Sequence, residues 1–322
     1  MNSTPSASEI FLGGAYEIPQ YVLACLPVIA VIGAISTQGL WSKLQWIFRC
    51  LGCPFCGLFY ICCVQNNKAD LCCYYLNKEY FARGTKSIPF RPFGLHAMKL
   101  EPTESQLKCF SECCSEASVL ERLGSLTSAY YIFLGWAMGI SKIFARQRCN
   151  DWPYIPISLL WTIPAVYKRA VHGRLVFKDV TVELNNFFLK QNERIIQVVP
   201  LQPHELIKKR IRVAITAFLS IAVPWSAVLM AYYTPPKGFF CRSKFISSYC
   251  TIWTFNSFLA LILHLRGEVN LKGNWIVHVW FCICGVVVAI LLLSFCLLSD
   301  VRIWWVQILG KGCDTSDWCS LT

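Results

Sequence analysis

The segment Trp275–Ser299, WIVHVWFCICGVVVAILLLSFCLLS, carries no Asp, Glu, Lys or Arg along its whole length. A bilayer core about 30 Å thick is crossed by roughly 20 predominantly apolar residues in a helix. Inside lipid the backbone has no water to bond, which leaves helices and closed barrels as spanning structures. Five further segments lack the same charges: Tyr21–Leu40, Leu123–Ser141, Trp152–Tyr167, Val213–Pro236 and Phe245–Leu265. Trp152–Tyr167 is the shortest and contains Pro153, Pro156 and Pro164, which a bundle tolerates where neighbours satisfy the freed backbone groups. Hydrophobic residues make up 55% of the chain and charged ones 15%, against about 25% charged in a soluble domain. No polar domain is large enough to enclose six such helices. The expected fold is all-α, a polytopic membrane helix bundle of about six transmembrane helices.

Orientation follows the Lys/Arg bias of the loops. Ten of these residues lie in Trp41–Arg122 and ten in Lys168–Arg212, whereas residues 1–20 have none. Placing the N-terminus outside puts 22 of the 30 basic residues in the cytosol and 8 on the other side. The layout is then an outer tail (1–20), a first span (21–40) and a cysteine-rich basic cytosolic loop (41–122). Spans at 123–141 and 152–167 follow, then a second basic cytosolic loop (168–212). Spans at 213–236, 245–265 and 275–299 lead to an outer C-terminal tail (300–322), with both termini outside. The missing basic n-region argues against a cleaved signal peptide, so the first span reads as an uncleaved anchor of a plasma-membrane or secretory-pathway protein. Asn2, in NST, is a glycosylation acceptor on the expected outer side. The net charge of +12 reflects the crowded cytosolic face, where anionic cytosolic-leaflet lipids favour each basic residue by about 1 kcal/mol. No nucleic-acid recognition fold accompanies it.

Seven cysteines crowd one short stretch: Cys50, Cys53, Cys56, Cys62, Cys63, Cys72 and Cys73. In the reducing cytosol they would not form lasting disulfides, and three readings remain. CLGCPFC has the C-x2-C-x2-C spacing of an iron–sulfur run, but its fourth position falls on Tyr60. Zinc would instead take Cys50 and Cys53 with Cys72 and Cys73 in a tetrahedral site. The lipid reading takes all seven as palmitoylation candidates, because they sit close to a span among aromatic and aliphatic neighbours. The third reading makes them small hydrophobes. A span through Leu51–Val64 is too short to cross, so the stretch reads as part of the loop. On the outer side, Cys149, Cys241, Cys313 and Cys319 are disulfide candidates, with Cys149–Cys241 or Cys313–Cys319 as the pairings.

Ionisable groups inside spans mark function by default. Here His278 is the deep one, with His264 at the end of its span and Asn256 and Gln38 as the main amides. An ion-coupled transporter usually carries a buried carboxylate, and none is present. The tryptophans near span ends, among them Trp41, Trp46, Trp161 and Trp280, are expected in interfacial belts. Val180, Leu184, Phe187, Phe188 and Ile195 lie near helical spacing and read as an amphipathic helix, docking on the membrane or on a cytosolic protein partner. Phosphate loops, H-E-x-x-H and G-x-S-x-G are missing, and no cofactor is expected.

The run TPPKGFFCRS, Thr234–Ser243, resembles the T-P-P-x-G-x-x-C-R-S segment between two spans of uncharacterised multi-pass membrane proteins of filamentous fungi. The resemblance implies an integral membrane protein and brings no activity with it. The expected function is a structural, scaffolding or partner-binding membrane protein. A channel, transporter or receptor is the alternative, and a membrane redox or acyl-handling enzyme built on the cysteines is a further one.

Overall fold

The computed structural model describes residues 40–64, 68–73, 76, 80–81, 98–144, 154–171, 173–187, 195–234, 237–265 and 275–298. The first expected span lies outside them except for Leu40, as do Asn2 and both tails. Helix α1 (Leu40–Gly52) stops where Cys53 turns extended, with φ −138° and ψ 90°, and Pro54 opens α2 (Pro54–Phe59). Proline breaks a helix it interrupts but fits the first position of a new one. One wider helical turn, Tyr60–Val64, follows. The axes of Leu44–Gly52 and Pro54–Cys63 differ by 108°. Each arm is about 15 Å long at 1.5 Å per residue, half a bilayer core. The chain makes a sharply bent helical hairpin where a loop was expected.

The two basic loops fold together. After α3 (Lys68–Cys73), strand β1 (Met98–Glu101) leads to α4 (Glu104–Cys113) and β2 (Cys114–Glu116). A capping box starts α4: Thr103 Oγ1 accepts from Gln106 N at 3.3 Å and Gln106 Oε1 accepts from Thr103 N at 2.9 Å. Helix α5 (Val119–Phe144) runs 26 residues. The chain then returns through α6 (Tyr154–Ser158), a 3-10 turn (Leu160–Thr162) and α7 (Ile163–Val171), packed back on α5. Next come β3 (Arg174–Val176), α8 (Val180–Phe187) and β4 (Gln197–Pro200). Antiparallel pairing joins β1 to β4, with Met98 opposite Pro200, and β2 to β3, with Cys114 opposite Val176. Helix α4 packs on α3 and α8. The expected all-α fold is therefore mostly helical with a small α/β cap, built from both loops.

The remaining helices are α9 (Pro203–Ile221), α10 (Trp225–Tyr233), α11 (Cys241–Leu265) and α12 (Trp275–Leu298). Pro224 breaks the expected fourth span into α9 and α10. Residues 203–233, 242–265 and 276–294 are the described segments long and apolar enough to cross a membrane. Only 39%, 39% and 28% of their apolar windows are buried within the protein. Ile207, Ile211, Ile215 and Phe218 form an exposed stripe down α9, and Ile276, Ile283, Ile290 and Leu293 one down α12. Apolar surface so continuous requires an apolar surrounding. The third expected span is the opposite case: Tyr154, Ile155, Ile157, Leu159 and Trp161 are all buried. Its prolines divide it into short pieces, so it lines the core as a broken segment in place of a straight lipid-facing helix.

Helix α1 packs along α12, and two glycines allow the approach. A Cβ on Gly285 would overlap the carbonyl oxygen of Phe48, and one on Gly52 that of Phe281. Small residues bring membrane helices together in this way. Gly124, inside α5, has nothing within 4 Å of such a Cβ. Gly285→Ala is expected to cost about 1–3 kcal/mol through overpacking. Gly124→Ala, relieved of glycine's chain entropy, should gain about 0.5–1 kcal/mol. Thermal unfolding of the two variants in one detergent checks this, and equal shifts in Tm would contradict the close approach.

Candidate functional site

A helix leaves its last carbonyls without intrahelical partners, and α1 ends among buried side chains. Its orphan groups are met from α11. Trp253 Nε1 donates to Leu51 O at 2.6 Å, and Asn256 Nδ2 donates to Gly52 O at 2.7 Å. Asn256 Oδ1 in turn accepts from Trp280 Nε1 of α12 at 2.9 Å. Across the break, Phe55 N donates to Ser257 Oγ at 3.4 Å, and Cys53 Sγ donates to Asn256 O at 3.4 Å. Three residues on one face of α11, Trp253, Asn256 and Ser257, thus hold both lips of the hairpin. Their i, i+3, i+4 spacing is what places them there. At the hairpin's far end Lys168 Nζ donates to Ile61 O at 2.7 Å and Cys62 O at 3.4 Å, and burial lowers the ammonium's pKa.

The described residues of the Thr234–Ser243 run link the end of α10 to the first turn of α11. Thr234 Oγ1 donates to Met230 O at 2.8 Å and accepts from Tyr154 OH at 2.9 Å. Gly238, at φ 147°, is the glycine-favouring position of the turn, and its N–H donates to Tyr232 O at 3.0 Å. Ser243 Oγ donates to Gly238 O at 3.4 Å, and the Arg242 guanidinium lies 5.1 Å from the Tyr154 ring centre. The turn is therefore tied to the broken segment at Tyr154.

The cysteine block is interior. Cys50, Cys53, Cys56, Cys72 and Cys73 are buried, and Cys62 and Cys63 are half-buried. Of the seven acylation candidates only the last two keep partial exposure. Cys50 and Cys53 lie at the hairpin, whereas Cys72 and Cys73 end α3 in the cap. Among the described residues no group of three or more metal-ligating side chains is arranged to hold a metal ion, so the zinc set is not assembled. A second cluster, which the spacing of residues 109–114 left undistinguished, forms in the cap. Cys72 Sγ and Cys114 Sγ are 3.4 Å apart, and Cys72 also reaches Phe110 O at 3.6 Å. The hydrogen bond shared with Cys72, then Lys68 and Arg174, lowers the Cys114 pKa, and the same bond with burial raises that of Cys72. Cys109 is lowered by its bond from Cys113, which is raised.

Other expected positions divide. His278 is half-buried on α12, and His264 is buried against Phe59 at 4.9 Å between ring centres. Trp46 and Trp161 are core residues, not belt residues. Val180 and Leu184 turn into the cap, so the expected amphipathic helix docks on α4 of its own chain, while Ile195 lies just before strand β4. Cys149, Cys313, Cys319, Phe188 and the side chain of Cys241 lie outside the described residues. No family model, curated protein or solved structure matches the chain.

Asn256→Ala leaves Gly52 O and Trp280 Nε1 without these partners, a cost of about 1–3 kcal/mol. Thr251 Oγ1 returns to its own helix at Ser247 O, 2.7 Å, on the exposed side, and Thr251→Ala should change far less. Thermal unfolding in detergent separates them. An Asn256→Ala protein as stable as the parent would contradict the role of the amide.

Proposed function

We propose that the chain is an integral multi-pass membrane protein with a structural or partner-binding role, presenting its α/β cap at the basic cytosolic face. The observation that carries this reading is Asn256, whose amide is bonded at both ends within the fold. This fully buried amide serves the hairpin, bonding Gly52 O and Trp280 Nε1. In this reading α5 and the first span add to the three apolar segments, with α6 to α7 as the returning limb that brings the second loop back to the first. Both termini lie outside. Lys208, Lys209, Arg210 and Arg212 at the start of α9 stand where anionic lipid gathers, which supports the cytosolic placement of the cap. The likeness of Thr234–Ser243 to the filamentous-fungal segment supports the same class.

A second reading, a channel or transporter, draws on the broken helices α1–α2 and α9–α10. Discontinuous helices at membrane depth line substrate paths in transporters. The two readings part on one experiment. Reconstituted in vesicles, the chain should leave sodium, potassium and proton permeability at the level of empty vesicles. Ion flux that depends on the intact Asn256 side chain would favour the transporter reading and overturn the structural one.

A further inference from the structure

Cys72 closes α3 and Cys114 opens β2, elements 42 residues apart in sequence. Their sulfurs stand 3.4 Å apart, and a disulfide needs about 2.05 Å, so the pair closes with a movement of about 1.4 Å. Cys109 and Cys113 differ: they are one turn apart on α4, where side chains project in parallel, and a bridge there would unwind the helix. Nor are the two members of the first pair alike. Cys114 is 9% exposed and flanked by Lys68 and Arg174, whereas Cys72 is fully buried behind it. Cations beside a thiol favour the thiolate, the nucleophilic form. Cys114 is thus placed to meet an oxidant and Cys72 to resolve what forms. With so little of Cys114 exposed, a small neutral oxidant reaches it more readily than a bulky peptide disulfide.

We propose that Cys72 and Cys114 are a peroxide-sensitive thiol pair that closes reversibly to a disulfide inside the cap. The Cys114 thiolate attacks one oxygen of hydrogen peroxide; the O–O bond breaks, and the departing hydroxide takes up a proton to become water. Cys114 is left as the sulfenic acid. The Cys72 sulfur then attacks the Cys114 sulfur, an S–S bond forms, the S–O bond breaks, and the oxygen leaves as a second water with the proton of Cys72. Two thiols give up two electrons and one peroxide becomes two waters. A dithiol reductant reopens the bond by exchange. In a reducing compartment the pair therefore stays open until peroxide rises. Closure pulls α3 toward β2, which is paired to β3 and leads directly into α5. Arg122 of α5 holds that junction, with its Nε donating to Ala117 O at 3.3 Å.

The test is thiol mapping on the full chain in detergent, reduced and then freed of reductant. After brief exposure to hydrogen peroxide, remaining thiols are alkylated under denaturing conditions and the digest is read by mass spectrometry. The expected result is a Cys72–Cys114 linked peptide that dithiothreitol abolishes. Glutathione disulfide should form it roughly tenfold more slowly or worse, access being limiting. In Cys72→Ser, dimedone should capture the sulfenic acid on Cys114, a readout that holds even if oxidation loosens the cap. The proposal is overturned if both thiols remain alkylatable, if the link joins Cys109 and Cys113 instead, or if co-purifying zinc shields both sulfurs until it is chelated.

Discussion

A helix that ends inside an apolar interior exposes carbonyl groups that no water reaches, and each unmet group costs about 1–3 kcal/mol. Here that constraint falls on Leu51 and Gly52, where Pro54 stops α1. The answer is a single face of α11. Trp253 and Asn256 donate to the two carbonyls, and Ser257 accepts from the first free N–H beyond the break. Because the bonds come from α11, the hairpin can bend by 108° and still be satisfied. Glycines at 52 and 285 then set how closely α1 lies on α12. The bundle is organised around this buried turn.

The cap obeys a different rule. Its two strand pairs are three and four residues long, too short to stand alone. They persist because each joins segments from different loops across a shared helical layer, α4 between α3 and α8. Gln106 shows the economy of the arrangement: its side-chain oxygen completes the start of α4, and its Nε2 donates to Ile195 O at 3.3 Å, beside β4. One residue thereby ties the first loop to the second. The buried thiols are part of this layer, which is why they act as packing groups first and as chemistry only where two sulfurs meet.

The long apolar helices were legible because their signal is local, a run of uncharged residues of the right length. Pro54 and Pro224 were equally visible, and each marks an actual break, whereas Pro156 sits inside α6. What sequence could not convey was direction. Nothing in PFCGLFYICC says that the chain bends sharply after Gly52, since that depends on donors far along the chain, at Trp253 and Asn256. Asn256 stood out as an intramembrane amide, yet its partners are backbone atoms, which carry no residue signature. The cysteines misled by proximity: the crowding from Cys50 to Cys73 invites a single site, but they divide between hairpin and cap. The close Cys72–Cys114 pair joins the first block to a group in which no spacing motif is apparent. The strand pairings were hidden for the same reason, being short and non-local.

The joining of the two loops into one cap is the feature on which the layout rests, because it forces α5 and the returning segment to begin and end on one face. Glycosylation mapping tests it most directly. Acceptor sites placed in the stretches 86–92 and 188–194 and in the turn at 237–240 report which side of the membrane each occupies. The first two are expected to remain unmodified and the third to be glycosylated. Modification of one of the first two acceptors without the other would place the loops on opposite sides and contradict it.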